Sequence, residues 1–266
     1  MFTTDELKWY NDFWLHTHER PEYYTAKPNA GHYAIAHLCQ LVHNSHVITQ
    51  NVDRLHSKTS LRSNHLVEVH GRLGLYKCFR KNCRYSKSES IGGIELERDC
   101  CPKKGTRFKD GSLVIQKTPM CPSCKLPCLP QVLLFDELYE SHDFYQWKKC
   151  LKWIDEADVI IFVGTSMSVG VTQEIIGRVD NYSSNSSTGS NSSSSSSSRG
   201  ASVVHRKKMF YNFNVTSKDC VSFCGCRNKY VKHVLGPCEV TLPELYRKVL
   251  KSSQLRQNSY RLWCYP

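Results

Sequence analysis

The sequence predicts an α/β fold on a largely parallel sheet, interrupted by a small cysteine-rich module, and three observations carry this expectation. Strand-like and helix-like patterns alternate along most of the chain. The run ADVIIFVG (157–164) is a continuous β-branched stretch ending in Gly, the pattern of a central parallel strand. Between residues 76 and 130 the alternation gives way to cysteines, basic residues and turn formers, which marks an insertion rather than sheet core.

Taken in order, residues 4–19 read as a helix with aromatic anchors at Trp9, Phe13 and Trp14. A second helix starts after Pro28-Asn29, with Asn29 as N-cap and Ile35, Leu38 and Val42 near the spacing of one helical face. HVIT (46–49) and LVEV (66–69) are short strands, and VLLF (132–135) resumes the sheet after the insertion. Residues 138–156 and 171–179 suit helices on either side of the 157–164 strand. Residues 183–198 are almost all Ser, Asn, Thr and Gly, a tract whose burial cannot offset its ordering entropy, so a flexible loop is expected over 181–200. KMFYNFNV (208–215) and KYVKHVL (229–235) are two further strands. TLPELYRKVL (241–250) closes the fold as a helix with Pro243 in its first turn, followed by a tail over 256–266.

Composition narrows the class. The chain has 266 residues, 40% hydrophobic, with five Trp, enough for a real core. No apolar run reaches the roughly 18 residues that span a membrane, and the first 20 residues carry acids and no apolar signal region. An intracellular, soluble protein is therefore expected. The net charge of +12 fits a solvated basic surface or attraction to acidic partners, and no nucleic-acid-binding motif supports direct base readout.

Fourteen cysteines without a secretory signal read as metal ligands and buried thiols rather than disulfides. Cys78-x4-Cys83 and Cys121-x2-Cys124, the latter in CPSCK, offer two thiolate pairs on turns, the donor set of tetrahedral Zn2+. Cys100, Cys101 and Cys128 compete as ligands. Four thiolates leave no open position, so such an ion is structural. Cys220, Cys224, Cys226 and Cys238 are spaced unevenly and read as unligated thiols.

Three polar stretches sit at predicted strand ends. ITQNVDRLH (48–56) presents Gln50, Asn51 and Asp53; VEVHG (67–71) presents His70 beside a Gly; VGTSMSV (163–169) presents Gly164, Thr165 and Ser166. Ligands of open α/β sheets bind at the carboxyl ends of strands, so the three are expected to face one crevice. Each is weak alone: a strand-end His is commonly structural, and Asn-x-Asp often caps a turn.

In this order, with two cysteine pairs between the second and third, they resemble the sirtuin family of NAD-dependent protein deacylases, from about Pro28-Asn29-x-Gly31-His32 to Leu242-Pro243. The resemblance implies a discontinuous Rossmann-like NAD-binding domain (1–75 and 131–255) with an inserted zinc module (76–130). It implies NAD-dependent removal of acyl groups from lysine, with release of nicotinamide and O-acyl-ADP-ribose. Protein mono-ADP-ribosylation and a catalytically inactive zinc-binding module are the alternatives.

By the same resemblance, His70 is the general base, Gln50 and Asn51 contact the nicotinamide ribose, and Asp53 holds the nicotinamide amide. Gly164, Thr165 and Ser166 line the ADP-ribose, Asn214 the adenosine ribose, and Cys238 the adenine. Val132, Leu134 and Phe135 are candidates for the acyl-lysine tunnel wall. The cofactors implied are NAD and one structural Zn2+. The implied partner is an acyl-lysine protein or peptide, histones among the candidates, in the nucleus or cytoplasm rather than the mitochondrion.

Two departures stand out. The family's opening Gly-Ala-Gly-x-Ser turn and Asp-Phe-Arg stretch do not occur in residues 1–27, so the first Rossmann-type strand is expected to be missing, through an internal start or through degeneration. Its absence is expected to expose apolar edges and weaken NAD binding. In FDE (135–137), Asp136 replaces a Gly that lets the peptide backbone approach, a change expected either to alter docking or favour a basic peptide, or to be accommodated by adjustment of the loop.

Overall fold

The computed structural model describes residues 5–18, 25–92, 115, 117–165, 170–185, 208–215 and 231–262. The chain divides into two compact units, Met1–Leu151 and Lys152–Pro266.

The first unit begins with α1 (Glu6–Trp9), a π turn (Tyr10–Trp14) and α2 (Leu15–His18). Asp5 caps the start through the Lys8 N–H. Of the expected anchors, Trp14 is buried and Phe13 is exposed, while Tyr10 is the second fully buried ring. Tyr10 and Trp14 pack with Leu73, Ile115 and Val132, and the Tyr10 hydroxyl donates to the Cys128 carbonyl at 2.6 Å. This polar tip is satisfied inside an apolar cluster, which makes Tyr there compatible with full burial.

Helix α3 (Ala30–Leu41) starts at the expected Asn29 cap. The Asn29 side chain accepts from the His32 N–H at 3.2 Å and the His32 ring reaches back to the Asn29 N–H at 3.3 Å, a reciprocal box. Strands β1 (Val47–Thr49) and β2 (Leu66–Glu68) pair in parallel, with Thr49 opposite Glu68. Glu68 is buried and tolerated there because Arg72 pairs with it.

The cysteine-rich region contains sheet that its composition hid. Strand β3 (Gly71–Cys78) lies between β4 (Ile91–Gly92) and β5 (Cys128–Val132), antiparallel to both. The resumed strand is thus Cys128–Val132 rather than 132–135. Gly71 shows why a Gly follows His70. Its φ is +91°, and a Cβ would lie 2.0 Å from the Gln131 carbonyl oxygen. Gly71→Ala should therefore cost on the order of 3 kcal/mol or more, read as a lowered urea midpoint.

The expected helix over 138–156 is shorter, α4 (Trp147–Glu156), preceded by a 3-10 turn over Asp143–Tyr145. Gln146, with φ of 46°, breaks the two apart. The boundary between the units falls within α4.

In the second unit β6 (Val159–Val163), β7 (Met209–Val215) and β8 (Val231–Leu235) form a parallel sheet in that order. The β6 run is a strand as expected, but not a central one among the described residues. It pairs with β7 alone, and Val159 and Ile161 are each 41% exposed. Helix α5 (Gly170–Asn185) extends past the expected 179, so residues 181–185 are helical and not loop, while 186–200 lie outside the described residues. Helix α6 (Cys238–Leu262) starts earlier and ends later than expected. Pro243 therefore sits inside it, and residues 256–262 of the expected tail are helical. No helix among the described residues is long and apolar enough to cross a membrane.

Candidate active site and metal centre

Parallel pairing of β1 and β2 brings two of the three polar stretches to one edge. Thr49 and Glu68 are register partners, so Asn51 and His70 each follow two residues beyond the pairing, at the carboxyl ends of both strands. Two backbone bonds continue the connection: Val69 N–H donates to the Thr49 carbonyl and Leu73 N–H to the Val52 carbonyl, each at 3.0 Å. The Gln50–Asp53 loop is thereby tied to both sides of His70.

Within that loop Asp53 Oδ1 accepts from the Leu55 N–H at 2.9 Å. One carboxylate oxygen thus shapes the turn, the capping role that such a residue commonly has. Asn51 is exposed and Gln50 half-buried. His70 is half-buried, and burial lowers its pKa below the ordinary imidazole value, with a hydrogen bond to the Gln50 backbone pulling the other way. A neutral ring with an available lone pair is what a proton acceptor at neutral pH needs.

His70 Nε2 lies 3.2 Å from the Tyr139 hydroxyl. Tyr139 in turn stacks on Trp147 with centroids 4.3 Å apart and planes 17° apart. Sequence reasoning missed Tyr139 because it assigned residues 138–156 to one helix. Lys77 and Glu137 were missed too. The Lys77 ammonium is buried and donates to Glu137 Oε1 at 2.6 Å, Tyr145 Oη at 2.9 Å and the Val132 carbonyl at 3.1 Å. Glu137 also accepts from the Leu134 N–H at 3.0 Å. A buried charge persists only when paired and hydrogen-bonded, so this cluster fixes the chain just after β5. No local pattern announces it, since Lys77 and Glu137 are 60 residues apart in sequence.

The three tunnel-wall candidates separate. Val132 is buried and Leu134 half-buried in the cluster around Tyr10 and Trp14, whereas Phe135 is fully exposed.

The second unit carries its own strand-end set. Gly164 follows β6 with φ of 58°, and its N–H donates to the Phe213 carbonyl at 3.2 Å. Thr165 comes next and is half-buried; Ser166 lies outside the described residues. Asn214 lies in β7, and Cys238 opens α6 three residues beyond β8. All three strands run parallel, so these positions lie at the carboxyl end of this unit's sheet.

The candidate metal site is compact. The sulfurs of Cys78, Cys83, Cys121 and Cys124 all lie within 4.8 Å of one another, with Cys78 to Cys124 at 3.3 Å and Cys83 to Cys121 at 3.7 Å. Ligands about 2.3 Å from a tetrahedral Zn2+ stand roughly 3.8 Å apart, so these separations suit that ion and exceed a covalent S–S bond of about 2.05 Å. The four thiols are free. Cys128 is buried beside them but outside the quartet, which removes it as a competitor; Cys100, Cys101, Cys220, Cys224 and Cys226 lie outside the described residues. Burial acts to raise the Cys121 thiol, but the backbone N–H groups of Cys124 and Ser123, with the Cys83 and Cys124 side chains, outweigh it and bring it to about 7, whereas burial raises Cys78 and Cys83. The CPSC turn thus aims N–H donors at a sulfur, as a thiolate ligand requires.

Comparison with known proteins bears on both centres. Residues 1–171 match the model of the Sir2 family. The chain is 42% identical over 263 residues to the NAD-dependent deacetylase sir2E of Dictyostelium discoideum, covering 98% of this chain and 66% of that protein. An ADP-ribose complex of a Sir2 homologue shares the fold with a TM-score of 0.62 and 21% identity, covering 96% of this chain and 78% of that one. A Sir2 bound to acetylated peptide shares it with a TM-score of 0.55 and 18% identity, over 93% and 81% of the two chains. The chain spans about half to two thirds of the length of the curated relatives it matches. The family match over 171 residues, and a 42% identical relative aligned over nearly the whole chain, place this protein in the Sir2, or sirtuin, family.

Proposed function

We propose that this chain removes acyl groups from protein lysine side chains at the expense of NAD. The observation that carries the reading is the position of His70, a half-buried, neutral-leaning imidazole tied by backbone bonds to the Gln50–Asp53 loop at the carboxyl ends of two parallel strands. When bound, the dinucleotide would supply an electrophilic ribose carbon for the acyl oxygen, with nicotinamide as leaving group. His70 Nε2 would be the residue that accepts the proton of a ribose hydroxyl. Gln50 and Asn51 orient the same ribose and its water. With Asp53 Oδ1 held by the Leu55 N–H, Oδ2 is the oxygen offered to the nicotinamide NH2.

In the second unit, Gly164, Thr165, Ser166 and Asn214 are assigned to phosphate and ribose oxygens, and Cys238 to the adenine. Val132, Leu134 and Phe135 are assigned to the acyl-lysine. Of the three, Phe135 alone stands fully in solvent and offers a first contact to a peptide. The assignment treats residues 76–130 as a module inserted into the Rossmann-like domain formed by 1–75 and 131–255. Cys78, Cys83, Cys121 and Cys124 would hold Zn2+, which would supply rigidity there and no reactive position, since four thiolates complete its coordination. The relatives bound to ADP-ribose and to acetylated peptide support the same assignment of ligands.

Nicotinamide release from NAD tests the reaction directly. It should require an acyl-lysine peptide and match deacylated product one to one. Release that proceeds equally without the acyl group would replace deacylation by ADP-ribosyl transfer.

A further inference from the structure

The nitrogen that the reaction needs already has a partner. Tyr139 Oη lies 3.2 Å from His70 Nε2, and the two rings are nearly parallel, 19° apart with centroids at 5.9 Å. A neutral imidazole nitrogen has one lone pair and accepts one hydrogen at a time. A phenol that donates to it and a ribose hydroxyl that gives up its proton to it are mutually exclusive.

The residues around Tyr139 anchor both ends of the turn that carries it. On one side, Glu137 is pinned by the Lys77 ammonium and the Leu134 N–H. On the other, the Asp143 N–H donates to the Lys87 carbonyl at 2.6 Å. Between these anchors runs a turn closed by Ser141 N–H to the Leu138 carbonyl at 3.0 Å, and Leu138 beside Tyr139 is 72% exposed. Trp147 backs the ring from behind, and this stack aims the hydroxyl at His70 Nε2. The clamp fixes the ends, and the turn between them lies at the surface, where it can shift to let the hydroxyl leave.

We propose that Tyr139 is a displaceable cap on His70: its hydroxyl occupies the Nε2 lone pair in the resting protein and gives way to the ribose hydroxyl when cofactor and acyl-lysine bind. This rests on His70 as the base in the proposed reaction, but the cap itself can be tested without turnover. Tyr139 is then a positioning residue, acting through His70. It holds the ring oriented and shields its lone pair until a better-placed donor arrives.

Diethyl pyrocarbonate attaches an ethoxycarbonyl group to unprotonated imidazole nitrogen, and peptide mass spectrometry reads the rate at His70 separately from the other histidines. In the full chain without NAD, Tyr139→Phe keeps the stack on Trp147 and removes the donor. It should speed modification of His70 by roughly two- to tenfold, the factor by which one ordinary hydrogen bond holds a group occupied. The rate at His142, which lies on other partners, should not change. Tyr139→Leu, which also removes the stack, should act in the same direction. An unchanged or slower rate at His70 in both variants overturns the cap. The measurement needs no deacylase activity, so loss of the functional reading and loss of the cap give different results.

Discussion

Replacing His70 by Ala should lower acyl-lysine turnover by roughly 10²- to 10⁴-fold, the range that a positioned general base contributes. The folded protein should survive the change. His70 lies just beyond β2 and is half-buried, and its removal strands no buried charge, because it bonds to a phenol and a backbone group. Zinc content and the urea midpoint should therefore stay close to those of the parent. The pH profile gives a second check. Burial lowers the His70 pKa, so the ring remains neutral further into acid than an ordinary imidazole of about 6.5. Turnover should hold as pH falls through 6.5 and decline only below it, as protonation removes the lone pair. In the His70→Ala protein that acid limb should vanish from the residual rate. Full activity in the variant would remove His70 from the role and, with it, the chief support for the deacylase reading.

How far the sequence foretold this site depends on how local each determinant is. The Asn29 cap, the ends of β1 and β2, and the two cysteine pairs are set by residues a few positions apart, and each was legible. Strand β3 was not. It contains Gly71, Gly74 and Lys77, poor strand residues with both glycines at positive φ, and it forms because β4 and β5 pair on either side. The misplaced VLLF strand has a similar cause. Pairing stops where Gly71 meets Val132, and Glu137 then takes the Leu134 N–H out of the ladder. Tyr139 could not be read because its meaning lies in a contact with a residue 69 positions away. The strong β6 pattern, by contrast, gives the expected strand, which among the described residues stands at the edge of its sheet rather than the centre. Apolar content on both faces specifies an environment, and β6 has a paired neighbour on one side only among the described residues.

Removing the metal should have the other large effect, and on structure rather than rate. Among the described residues, the small core beside β3, β4 and β5 has Cys78, Cys83, Cys121, Cys128 and Ile91 as its buried members. Four of these five are thiols, and three of the four belong to the quartet, so an ion joining them would supply much of what holds the described part of the module. Structural Zn2+ binds small cysteine modules with apparent energies of about 10–16 kcal/mol, comparable to the roughly 5–15 kcal/mol total stability of a domain. The protein as purified should thus carry one zinc per chain. Chelation strong enough to withdraw it should lower the unfolding temperature by about 10 °C or more, taking roughly 2–4 °C for each kcal/mol in a chain of this size. The loss should spread beyond the module, because the Tyr10 hydroxyl is bonded to the Cys128 carbonyl and the first helices pack against the same sheet. Two substitutions separate ligation from mere burial. Cys121→Ser should abolish zinc binding, since a hydroxyl does not replace a thiolate in a four-sulfur site, and the chain should melt like the chelated protein. Cys128→Ser changes a buried thiol outside the quartet and should retain one zinc. Equal zinc loss in both variants, or a parent protein that melts at the same temperature with and without chelator, would show that these cysteines are packing rather than ligands.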